Sequence, residues 1–70
     1  MNIKVNGKDV PFLDARMTYD RLCLLAGVDV EQNPSATYRM PNGTCGILWR
    51  GNTAPVAEGG RFSVYHTGMA

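Results

Sequence analysis

Phe62-Ser63-Val64-Tyr65-His66-Thr67, followed by Gly68-Met69-Ala70, is the stretch on which the reading of this chain turns. Phe62 and Val64 alternate with Ser63 and Tyr65, which is the period of a half-buried β-strand, with the first pair facing a core and the second facing out. Gly68 follows, then two more residues. A glycine beyond a core strand makes a thin tip, because it has no Cβ and tolerates any backbone angle. Such a tip can be threaded into a narrow channel of another protein, as is needed when the carboxylate of Gly68 is itself the functional group. Small domains also end in frayed glycine, and the tail by itself fits either reading.

Working outward, Ile3-Lys4-Val5 has the same period of two, and Asn6-Gly7 after it is the strongest short hairpin signal. Val10-Pro11-Phe12-Leu13 reads as the returning strand. Pro11 donates no ladder hydrogen bond, so this strand is expected at a sheet edge. Thr18 reads as a helix N-cap, with Asp20 near the positive end of the helix dipole. Tyr19, Leu22, Cys23 and Ala26 fall at helical spacing, Leu25 widens the stripe, and Gly27 is placed to end the helix. The spacing predicts a helix over 18–26, a loop over 28–34, a strand over 37–40 and another over 45–49. In the last of these, Ile47 and Trp49 share one face and Leu48 takes the other. The segment 53–60, with Pro55 and Glu58-Gly59-Gly60, is expected to be irregular.

The order ββαβββ fits an α+β fold. A mixed sheet carries one helix packed on one face, and its first and last strands lie side by side and parallel at the centre. This is the β-grasp, or ubiquitin-like, roll. The chain reads as a single domain over 1–68 with a two-residue stub, Met69-Ala70.

Composition narrows the function. Seventy residues with 44% hydrophobic content are enough for one thin core but leave little room for a catalytic pocket and its supporting shell. The net charge is +1, and the basic residues are scattered without interleaved aromatics, so no nucleic-acid partner is expected. No apolar run has the length of a membrane span. The first residues, Met1 to Val5, do not form a secretory signal, so a cytoplasmic location is expected. Cys23 and Cys45 are far apart and are expected to be small core residues. With a single histidine, His66, they make no metal-ligand set, and neither a cofactor nor a catalytic group is expected.

Ile3-x-Val5-Asn6-Gly7, Thr18-Tyr19-x-x-Leu22-x-x-Leu25-Ala26-Gly27, Tyr38, Gly46-x-Leu48-x-x-Gly51, Val56-x-Glu58-Gly59 and Phe62-x-Val64-x-x-Thr67 together resemble the bacterial ubiquitin-like modifiers of the multiubiquitin type and their single-domain relatives. The resemblance implies a substrate of enzymes rather than an enzyme, within a bacterial conjugation pathway serving phage defence or stress. A peptidase would cut between Gly68 and Met69. An E1-like activating enzyme would adenylate the Gly68 carboxylate with ATP and capture it as a thioester. An E2-like conjugating enzyme would then deliver it to target proteins. The familiar modifier ends in two glycines, whereas here Thr67 precedes Gly68. Two other readings share the fold: a sulfur carrier whose terminal glycine becomes a thiocarboxylate, and a non-covalent adaptor with an inert tail. Bare Gly-Gly ends are usual in the carriers, and Met69-Ala70 count against that reading.

In β-grasp modifiers the partner face is usually the open side of the sheet. Here it is expected to include Tyr65 and Ser63, with Leu48 or Trp49 according to register, and Arg39 nearby. Self-association through edge strands also stays open.

Overall fold

The structure is a computed structural model, and it describes residues 1–66. Strand β1 (Asn2–Val5) turns back into β2 (Lys8–Pro11) through Asn6 and Gly7. Both turn residues have positive φ, 52° and 83°, as a two-residue hairpin with right-twisted strands requires. A short strand β3 (Arg16–Thr18) leads directly into helix α1 (Tyr19–Ala26). After one 3₁₀ turn at Val30–Gln32 come β4 (Ser35–Arg39), β5 (Cys45–Ile47), β6 (Thr53–Pro55) and β7 (Arg61–Tyr65).

The helix boundaries have local causes. The Thr18 hydroxyl accepts from the Arg21 amide at 3.1 Å, which satisfies one of the free donors of the first turn. Gly27 takes a left-handed conformation at φ 73°, and the amide of Val28 reaches back to the Cys23 carbonyl at 3.0 Å.

Five strands form one mixed sheet in the order β2-β1-β7-β4-β5. These are the five strands expected from the sequence. β7 is the central strand. It runs parallel to β1, with Val5 opposite Phe62, and antiparallel to β4, with Ala36 opposite Val64. β2 is an edge, as Pro11 demanded. Ile3, Val5, Ala36, Phe62 and Val64 point to one side of the sheet, where Leu22 and Cys23 of α1 meet them, and all are buried. Tyr38 also points to this side, and its ring lies 6.4 Å from that of Phe62. Its hydroxyl stands 2.8 Å from where a Cβ would sit on Gly46, so the glycine opposite it in β5 makes the room its ring occupies.

Four expectations need correction. Residues 53–55 are ordered as β6 and pair with β3 in a separate two-stranded sheet, Met17 opposite Ala54. This pair was not expected. It closes the core beside α1, and Met17 and Ala54 are both fully buried. The expected loop over 28–34 contains the 3₁₀ turn, capped by the Asp29 side chain. β2 and β4 each begin two residues earlier than expected, β2 leaving out Phe12 and Leu13, and β5 stops at Ile47 rather than 49. Cys23 is buried, but Cys45 is exposed on the edge strand, because it shares the outward parity of Ile47.

Candidate functional site

The face of the sheet away from α1 has no element over it among the described residues. Strand alternation places Lys4, Arg61, Ser63, Tyr65, Ser35, Thr37, Arg39, Cys45 and Ile47 on it. Trp49, just past β5, continues the outward parity of Ile47. Three large apolar side chains stand in water here: Trp49 is 62%, Ile47 54% and Tyr65 47% exposed. A folded surface always carries some apolar area, but aromatic residues gathered on one face are a feature of interface cores.

The expected partner residues divide accordingly. Tyr65, Ser63, Arg39 and Trp49 are at the surface. Leu48 is not: it is 2% exposed, and its amide donates to the Ala36 carbonyl at 2.9 Å. That bond holds it opposite Ala36, on the helix side, and it belongs to the core. Ile47 and Arg61 were not named among the partner residues, although the period of two places Arg61 with Ser63 and Tyr65 and Ile47 with Trp49.

Two shallow depressions run along this face and meet at Thr37 and Ile47. One, of about 350 Å³, lies between Trp49, Tyr65 and Ser35. The other, of about 470 Å³, lies between Ile47, Ser63, Arg39 and Arg61. The first is lined by the rings of Trp49, Tyr65 and Tyr19 together with Arg50, the second by Arg39 and Arg61 together with Tyr38. Arg39 stands directly opposite Arg61 across β4 and β7, and Lys4 is opposite Arg61 on β1. Lys4 is paired with Asp9 at 2.7 Å. Among the described residues, neither Arg39 nor Arg61 has a carboxylate at ion-pair distance.

The strand that leads to the tail is held at its far end by Asn6. The Asn6 side chain accepts from the Val64 amide at 2.8 Å and donates to the Val64 carbonyl at 3.1 Å. Its own amide donates to the Phe62 carbonyl at 2.9 Å. A side chain thereby continues the β1–β7 ladder after β1 has turned away, and β7 stays paired on both sides close to its end. His66 is exposed. Gly68 and Met69, the expected activation and processing positions, lie outside the described residues, as do Thr67 and Ala70.

The groups with perturbed acidity lie in the interior. Burial pushes the Cys23 thiol and the Tyr19 phenol up from their usual values. Tyr19 donates its hydroxyl to the Pro34 carbonyl, and the Arg50 guanidinium lies 5.8 Å from its ring centre. These contacts tie the start of α1 to the loops beside β4 and β5. Among the described residues, no three His, Cys, Asp or Glu side chains come together as a metal site, and no helix is long and apolar enough to cross a membrane.

The family model described as Multiubiquitin matches residues 1–69 of this chain. No curated protein matches it, and no solved structure does.

Proposed function

This chain belongs to the multiubiquitin family, and from that premise we propose that it is a ubiquitin-like protein modifier of a bacterial conjugation pathway. In this reading a peptidase removes Met69-Ala70 and exposes the Gly68 carboxylate. A carboxylate is a poor electrophile. An E1-like enzyme therefore converts it with ATP to an acyl-adenylate, releasing pyrophosphate, and a cysteine thiolate of the enzyme then displaces AMP to give a thioester. An E2-like enzyme accepts the thioester. An amine of the target protein attacks it, frees the thiol and forms an isopeptide bond. The chain is substrate and label in this scheme, not catalyst. Its setting is the bacterial cytoplasm, in phage defence or stress.

The observation that carries the reading is the placement of β7. The strand that precedes the tail is the central one of the five, paired with β1 and β4 and bracketed by Asn6. Gly68 follows the last residue of that strand by three positions in the sequence. The family match also runs through Gly68 to residue 69. Support for recruitment comes from the open face, with Tyr65, Trp49 and Ile47 exposed.

The test is Gly68→Ala expressed in the native host beside the wild-type chain. Immunoblotting is expected to show high-mass conjugates of the wild type and none of the variant. Conjugates that survive the substitution contradict the reading.

A further inference from the structure

The Arg39–Arg61 pair is an electrostatic oddity of the free domain. Like charges directly opposite on neighbouring strands are unfavourable, and no carboxylate among the described residues offsets them. Asp9 is committed to Lys4, and Glu58 accepts from the Asn2 amide at 3.0 Å. Other acidic side chains lie off this face, on α1 and in the loops around it: Asp14, Asp20, Asp29 and Glu31. The basic pair is also continuous with an apolar zone. From Ser35, between Trp49 and Tyr65, to Arg39 the path runs along β4, a span of about 13 Å at ~3.3 Å per strand residue.

We propose that the open face binds an acidic–apolar peptide segment of a partner protein, its bulky apolar side chain seated between Trp49 and Tyr65 and its carboxylates on Arg39 and Arg61. The spacing asks for an apolar residue and a carboxylate separated by about four residues of extended chain. Guanidinium groups suit the second half, because each can grip a carboxylate with two parallel hydrogen bonds. Complementary charge fixes the direction in which the segment lies, and the aromatic end supplies the desolvated anchor. The inference rests on the reading of the chain as a partner-recruiting modifier. It concerns the folded face alone, however, and asks nothing of Gly68.

The experiment is a ¹H–¹⁵N titration of the full chain with three probes. One is a synthetic decapeptide with paired leucines followed by paired glutamates at that spacing. The second is the same peptide with lysines for glutamates, and the third a short oligothymidylate. The acidic peptide is expected to shift the amides of Thr37, Ile47, Trp49 and Ser63 saturably, and the lysine peptide to leave them in place. In Arg39→Glu the acidic peptide is expected to bind at least tenfold more weakly. The unfolding midpoint of that variant is expected to hold or rise, because a carboxylate would then face Arg61 as an opposite charge. A rise in stability with loss of binding marks a recognition role that packing alone does not produce. The proposal is overturned if both peptides bind alike, if neither binds, if Arg39→Glu binds as the wild type does, or if the oligothymidylate shifts the same face more strongly than the acidic peptide. Arg61→Glu, made in parallel, guards against a local defect at Arg39. None of these outcomes depends on conjugation, so failure here leaves the Gly68 test standing, and the converse holds as well.

Discussion

The two faces of the five-stranded sheet are built from alternate residues of the same strands, and they carry opposite duties. Along β7, Phe62 and Val64 are buried against α1, while Arg61, Ser63 and Tyr65 between them are exposed. Along β4, Ala36 and Tyr38 face the core, whereas Thr37 and Arg39 face water. The closed face supplies the burial that holds a 70-residue chain together; the open face contributes little to that and carries the exposed rings and, among the described residues, two arginines without an ion pair. Folding and recognition can therefore be altered one residue apart.

Phe62→Ala is the strongest way to sharpen the contrast. It removes a fully buried ring that touches Tyr38, and such truncations cost about 3–5 kcal/mol. That is about a third or more of the stability of a domain this size, at ~0.05–0.15 kcal/mol per residue. Ser63→Ala, one residue further on, should change stability by less than about 0.5 kcal/mol. Urea unfolding of the two variants side by side is the check, and similar midpoints would show that the two faces do not differ in their share of the folding energy.

Tyr19→Phe comes next. It removes the hydrogen bond to the Pro34 carbonyl and should cost about 1 kcal/mol at neutral pH. Burial raises the Tyr19 phenol above its usual 10.0 and the Cys23 thiol above its usual 9.0. The folded state then keeps these protons at a pH where the unfolded chain has lost them. The stability they contribute is whole below the unfolded values and is lost as pH climbs from about 9 through 10 and on toward the folded values. The wild type should therefore weaken along this alkaline limb, and Tyr19→Phe should weaken less steeply above pH 10. Parallel slopes in a pH series of denaturation midpoints would remove the phenol from the account.

Trp49→Ala should have the smallest effect on folding, within about 0.5 kcal/mol, since the side chain is 62% exposed. In the titration with the acidic peptide it should behave as a central anchor and cost about 2 kcal/mol, roughly thirtyfold in affinity. A large loss of stability together with unchanged binding would place Trp49 on the wrong side of the comparison.

Much of this division was legible in the sequence, and the limits have physical causes. Asn6-Gly7, Thr18, Gly27 and the alternation in 3–5 and 62–65 are local signals with local causes, and each corresponds to a turn, cap or strand in the fold. β3 and β6 had no such signal. Each is three residues long, Pro55 argued against a strand, and what makes them a ladder is Met17 meeting Ala54 from a distant part of the chain. Arg16 reinforces the pair by donating at 2.7 Å to the hydroxyl of Thr53, 37 residues on, a contact invisible to any window along the chain. The Asn6 turn was evident, but the bonds of its side chain to Val64, 58 residues on, were not. Cys45 went to the wrong face because its residue type suggested a core role, whereas strand parity decides the face. Leu48 and Trp49 were alternatives set by register, and the register of β5 against β4 places Leu48 inside and leaves Trp49 outside.

The central claim, that Gly68 is the reactive end, is tested most directly by mass spectrometry of the tryptic peptide that follows Arg61, isolated from the native host with the pathway active. The expected peptides are Phe62 to Gly68 as a trimmed free end and the same segment as a branch on lysines of other proteins. A terminus that retains Met69 in every molecule, with no branched peptide, would contradict that claim.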